Sequence, residues 1–252
     1  MLMAVTTHRF ASFDGQDIVW SELGTGRPVV LLHGLFSHAE MNWLRWGTAQ
    51  AIAEAGFRLV LPDLRAHGRS AAPHDPAAYP QDVLAMDIEA LVQHLQLSDF
   101  DLGGYSLGAR TTMRLLVRGL RPRRAILAGM GLEGLTGSDR RRNFFLDAIA
   151  KRGSVARGTD AWMAVQFMKS TGTDPDAVAH VLWSQVKSSH NDLSAVTTRT
   201  LVVCGADDQD NGSAPDLART LPNAQYVAVP GNHMSAVTKP DLGAAIASFL
   251  AT

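Results

Sequence analysis

Cysteine is almost absent. Cys204 stands alone among 252 residues, which excludes an internal disulfide framework and any metal site built from several thiolates. An excess of one charge is missing as well: 23 Lys and Arg against 24 Asp and Glu leave a net charge of -1. That balance argues against a chain made to neutralise phosphates or to lie on an anionic membrane. No apolar run approaches the roughly 18–20 residues that span a bilayer. The segment Met1–Phe10 lacks the apolar core and cleavage site of a signal peptide. No convincing Gly-rich phosphate loop is present, and the histidines lack paired metal-ligand spacing. The expectation is a cytoplasmic protein with no cofactor, no metal, no nucleic-acid partner and no membrane contact. The oligomeric state is left open. What remains is a globular composition, 46% hydrophobic and 19% charged, which disfavours disorder.

Two β-rich runs, Thr7–Phe13 and Ile18–Glu22, flank Asp14-Gly15, a hairpin dipeptide because Gly accepts positive φ. Continuously apolar runs follow, as expected of strands buried on both faces of a parallel sheet: Val29–Leu32, Phe57–Leu61, Phe100–Gly103, Ala125–Ala128, Thr200–Cys204 and Tyr226–Val229. Val83, Leu84, Ile88, Leu91, Val92 and Leu95 recur at helical spacing. Strands alternating with helices imply an α/β fold, a mostly parallel sheet covered on both faces. The stretch from Met130 to Thr198 exceeds the roughly 30 residues of a βαβ unit and carries helical patterns near 139–150, 159–169 and 174–186. It reads as a helical cap over a pocket, dividing the chain into core 1–131, cap 132–190 and core 191–252.

The chemistry centres on Gly104-Tyr105-Ser106-Leu107-Gly108, set between the strand ending at Gly103 and the helical run Ala109–Leu116. A serine in a sharp strand-to-helix turn is held in a strained conformation. Residues two before and two after it crowd the turn, so both are best as Gly. The turn exposes the hydroxyl and aims the following N–H at a reacting carbonyl. A plain Gly-rich loop with Ser106 as helix cap is the alternative.

With this motif the chain resembles the α/β-hydrolase family over about Thr7 to Leu250. His33-Gly34-Leu35-Phe36 resembles the family's oxyanion loop. Pro62–Ser70 looks like its loop after the fourth strand, with Ala66 where Gly is usual. Gly205-Ala206-Asp207-Asp208 resembles the acid-bearing turn and Gly231-Asn232-His233 the histidine loop. The resemblance implies a mostly parallel eight-stranded sheet with helices on both faces and a helical cap insertion, in a serine esterase- or lipase-like member. A serine hydroxyl needs a base to become nucleophilic, and His233 is the best placed. The base needs an acid to hold its tautomer. Asp207, Asp208 and Asp210 compete, and the family's spacing from the strand-end Gly favours Asp208 over Asp207.

The backbone N–H groups of Leu35 and Leu107 would form the oxyanion hole. Phe36, Tyr105, Met130, Trp162 and Trp183 are candidate substrate-binding residues. His33 is expected to order its own loop and His67 to support the loop beneath the site. Arg140, Arg141, Arg142, Lys151, Arg152 and Arg157 read as a solvated helix face, and Arg121, Arg123 and Arg124 as surface loop. The expected activity is hydrolysis of carboxylic esters of small or medium, mostly apolar substrates through an acyl-enzyme. Lactone, thioester, carbon–carbon bond or perhydrolase chemistry with the same residues is the alternative, and a non-catalytic ligand-binding protein a further one. Ser106 disfavours relatives that need a carboxylate nucleophile at the elbow.

Overall fold

The computed structural model describes residues 3–137 and 139–252. The chain opens with β1 (Thr6–Ala11) and β2 (Asp17–Gly24), an antiparallel pair joined through Asp14-Gly15, where Gly15 takes a φ of 84°. Next come β3 (Arg27–Leu32), α1 (Thr48–Glu54), β4 (Phe57–Pro62), α2 (Val83–His94), β5 (Asp101–Tyr105), α3 (Leu107–Val117) and β6 (Arg124–Ala128). The long connection holds α4 (Leu132–Thr136), α5 (Arg140–Ala150), α6 (Asp160–Ser170), α7 (Pro175–Trp183) and α8 (His190–Ser194). The chain closes with β7 (Arg199–Gly205), α9 (Ala214–Thr220), β8 (Ala224–Val229) and α10 (Pro240–Ala251).

The eight strands form one sheet in the order β1-β2-β4-β3-β5-β6-β7-β8. β2 runs antiparallel to β1 and β4, and the pairs from β4 onward are parallel. The apolar runs explain the layering. In β3, Val29 and Leu31 point to one face, against Ala49 and Ile52 of α1 and Ile246 and Phe249 of α10. Val30 and Leu32 point to the other, towards Ile88 and Leu91 of α2. Farther along the sheet, that second face packs Met113 and Leu116 of α3 and Leu217 of α9 against Leu127 and Val202. A strand buried on both sides has no polar alternation to display.

After β3 the chain turns one way to β4 and then the other way to β5. The reversal opens a crevice at the carboxyl ends of β3 and β5, where open α/β sheets place ligands. The inserted helices lie over it. Phe145 of α5 meets the Phe36 ring edge-on at 5.5 Å between centroids, and the Thr173 hydroxyl donates to the Phe36 carbonyl. Ile149, Met168, Val178 and Val181 share a buried cluster with Phe36 and Leu107. Leu135 of α4 and Leu193 of α8 pack instead with the sheet, beside Leu127 and Val202.

Two surface expectations change. Arg124 is the first residue of β6 and is buried, with Asp101 as its acidic neighbour 4.0 Å away. The basic stretch on α5 is not a uniformly solvated face. Arg141 pairs with Asp210, while Arg142 pairs with Asp139 and lies 5.0 Å over the Trp183 ring.

Candidate active site

Ser106 sits between β5 and α3 with φ 54° and ψ −108°, a conformation that costs an L-residue on the order of 1–3 kcal/mol. The surrounding contacts hold it there. Its N–H donates to the Ala128 carbonyl at 2.9 Å. A Cβ at Gly104 would collide with the Gly108 carbonyl, and one at Gly108 with the Leu32 carbonyl. The two glycines therefore let the turn close and let α3 press against β3, so the motif's spacing records a packing requirement.

Three side chains from three loops converge. His233, after β8, is 3.0 Å from the Ser106 Oγ through Nε2 and 2.8 Å from Asp208 Oδ2 through Nδ1. With Nδ1–H donating to the carboxylate, Nε2 is left to accept the serine proton. Asp208 follows β7, and its Oδ1 accepts the Asp210 N–H at 3.0 Å. Burial pushes the Asp208 carboxyl up, but the His233 contacts, the Asp210 N–H and the Cys204 thiol together hold it below the usual carboxylate range. Asp208 and His233 are buried and Ser106 is partly exposed, whereas Asp207 points into solvent.

The loop after β3 reaches the serine. A Cβ at Gly34 would lie 3.7 Å from Ser106 Cβ, and the Gly34 N–H is fixed by Asn42 Oδ1 at 2.9 Å. Neither the Leu35 nor the Leu107 N–H donates to a described residue. His33 is buried at the root of this loop. Its Nε2 accepts the Leu64 N–H and its Nδ1–H donates to the Gly34 carbonyl. Burial pushes His33 down to about 4 against the opposing pull of Asp63. His67 donates to the Arg65 carbonyl, and burial with the nearby His33 pushes it down to about 3. Both stay neutral at physiological pH.

The candidate pocket residues separate. Phe36 is buried at φ 59° under α5. Tyr105 is buried too, and its hydroxyl donates to the His233 carbonyl at 2.7 Å, so it anchors the histidine loop instead of facing a ligand. Met130 is buried against α4. Trp162 is half-buried in the first turn of α6. Trp183 is 60% exposed on the outer side of the insertion and does not join the convergence.

Three further positions were missed in the sequence: Asn42, which sets the Gly34 N–H; Asp63, which accepts the Ala39 and Arg69 N–H groups; and Cys204, whose thiol donates to Asp208 Oδ2 at 3.3 Å. Only Asp63 carried a signal, as part of the Pro62–Ser70 loop. Asp208, Asp210 and His233 could share a cation, their ligand atoms lying within 4.8 Å of one another, but two of them are already bonded to each other beside Ser106.

The model of the alpha/beta hydrolase fold matches residues 27–130. The chain has the alpha/beta hydrolase fold. Over 98 residues it is 32% identical to the AB hydrolase superfamily protein YisY of Bacillus subtilis, covering 38% of this chain and 34% of that one. The chain thus spans about a third of the length of the curated relatives that it matches in this region. A non-heme haloperoxidase of Rhodococcus erythropolis aligns along 94% of this chain and 97% of its own, at 27% identity. The thermophilic esterase of Thermogutta terrifontis superposes with a TM-score of 0.78 at 22% identity, covering 97% of this chain and 98% of that chain. Among the described residues, no helix is long and apolar enough to cross a membrane.

Proposed function

We propose that the chain is a serine hydrolase that cleaves carboxylic esters of small or medium, mostly apolar substrates. The observation that carries this reading is the Ser106–His233–Asp208 chain, with contacts of 3.0 and 2.8 Å. His233 Nε2 takes the Ser106 proton as Oγ attacks the ester carbonyl. Asp208 keeps the imidazole in the Nδ1–H tautomer and stabilises the imidazolium. The Leu35 and Leu107 N–H groups receive the negative oxygen of the tetrahedral intermediate. His233 returns the proton to the leaving alcohol, which leaves an acyl-Ser106. Water, deprotonated by the same histidine, then releases the acid. Helices α5–α7 act as a cap that shapes the acyl pocket, with Phe36 and Phe145 at their contact with the oxyanion loop.

The full-length alignment with a haloperoxidase favours a second reading, perhydrolysis, in which hydrogen peroxide replaces water as the acceptor of the acyl group and a peracid is released.

A fluorophosphonate is expected to add one adduct mass at Ser106, with none in Ser106→Ala. Labelling at another residue, or no labelling, overturns the nucleophile. A panel of ethyl esters, lactones and thioesters, each with and without peroxide, then separates the acyl chemistries.

A further inference from the structure

Arg110 lies on α3 one turn beyond Ser106, and its N–H donates to the Ser106 carbonyl at 3.0 Å. Its guanidinium has no hydrogen-bonding partner among the described residues, and each carboxylate around it is already engaged. Asp82 is held by Arg114 at 2.7 Å, Asp139 by Lys187 and Arg142 at 2.8 and 3.2 Å, and Asp210 by Arg141 at 3.0 Å. The other charges that reach Arg110 are mostly of its own sign. Burial first, then repulsion from Arg141 and Arg142 against a weaker pull from Asp139, draw it down to about 10. It is still a cation at neutral pH.

A half-buried cation without a counter-ion is a cost that folds seldom retain without a use. This one is reachable. Arg110 is only partly buried, and with Leu107, Asp82, Ser184 and Gln185 it lines a small cavity between α3, the start of α2 and the segment after α7. Side chains on a helix lean towards its N-terminus, which for α3 is the end that carries Ser106. The helix rises about 5.4 Å per turn, so the Arg110 backbone stands one turn from the Ser106 elbow.

We propose that Arg110 binds a carboxylate at the far end of the acyl chain, so that the preferred substrates are half-esters of short dicarboxylic acids or their ring-closed equivalents. The proposal rests on the Ser106 reading for the ligand being a substrate. A guanidinium fork matches a planar carboxylate with two parallel N–H···O bonds. A phosphate dianion would need a second cation, and Arg114, which lines the same cavity, Arg141 and Arg142 are all already committed to aspartates.

The test titrates the full chain calorimetrically with glutarate, with neutral glutaramide and with inorganic phosphate. Glutarate is expected to bind at least tenfold more tightly than glutaramide and phosphate. Arg110→Met should lose at least tenfold of the glutarate affinity, and Arg110→Lys should recover part of it. In turnover, the ratio of kcat/KM for monoethyl glutarate over ethyl pentanoate should fall at least tenfold in Arg110→Met, chiefly through KM. Because the substitution removes an unpaired cation, its Tm should equal or exceed that of the parent. If Arg110→Met does not fold, Arg110→Gln carries the same measurements. Glutarate binding no tighter than glutaramide, or unchanged in the variants, overturns the proposal, and tighter phosphate binding overturns the carboxylate class. Arg110-dependent glutarate binding with no ester hydrolysed sinks the hydrolase reading alone. Hydrolysis of both esters with a ratio indifferent to Arg110 sinks this inference alone.

Discussion

Two adjacent aspartates end the turn after β7, and their surroundings differ sharply. Asp208 is buried, receives His233 Nδ1–H and the Cys204 thiol on one oxygen, and takes the Asp210 N–H on the other. The Asp207 side chain is exposed, and its backbone N–H donates to the Gly231 carbonyl. Burial and the carboxylate push the Cys204 thiol up, so it stays a protonated donor to Asp208. Replacing Asp208 by Asn turns an acceptor into a group that presents either an oxygen or an NH2 to Nδ1, and the Nδ1–H tautomer loses its anchor. For Asp208→Asn the expected loss in kcat is about four orders of magnitude, against less than about twofold for Asp207→Asn, measured on a single ester with fold checked by circular dichroism. The reverse order of damage would assign the acid to Asp207.

The loop after β4 is held from below by a buried ionic knot. Arg65 is fully buried and donates two bonds to Asp87 on α2, two to Asp14 in the β1–β2 turn and one to the Ala78 carbonyl. Ser12 completes Asp87 at 2.6 Å. Cutting out the cation leaves Asp87 unpaired in the interior, a loss of about 3–5 kcal/mol. Arg65→Met should show it as a lower denaturant midpoint, and an unchanged midpoint would mean that the loop is held by other contacts. This knot also marks where the sequence stops being legible. Strand and helix identities are written in apolar runs, and the Ser106 turn is written in two glycines, because local packing dictates both. The family pattern at Pro62–Ser70 points to a loop, and Ala66 adopts the left-handed φ of 65° that explains why Gly is usual there. Which distant aspartates would gather on Arg65, or that Asn42 would orient Gly34, depends on contacts between separate elements that no local spacing records. Tyr105 and Trp183 illustrate the same limit. Aromatic character marks both as pocket candidates, yet one secures the histidine loop and the other lies on the surface under Arg142.

Across the whole molecule, acid should act through His33 and His67 before it unfolds the sheet by other routes. The two rings meet edge to face with centroids 5.1 Å apart, in a buried position where His67 Nε2 has no partner among the described residues. Both have folded-state values below the unfolded value of about 6.5, about 4 for His33 and about 3 for His67, with burial as the main cause in each. A group whose affinity for protons is depressed by folding contributes its full stability above the unfolded value. That contribution is lost as pH falls towards the folded value, because the unfolded chain binds the proton first. Each imidazole therefore adds a slope of at most about 1.4 kcal/mol per pH unit between pH 6.5 and its folded value. Asp87 and Asp101, which burial raises, act in the opposite sense as pH falls, so the histidine effect is isolated by difference. His67→Gln should flatten the decline in unfolding free energy between pH 6.5 and 4.5 by about 1 kcal/mol per pH unit, read from urea titrations at several pH values. A parallel decline in parent and variant would remove these histidines from the acid response.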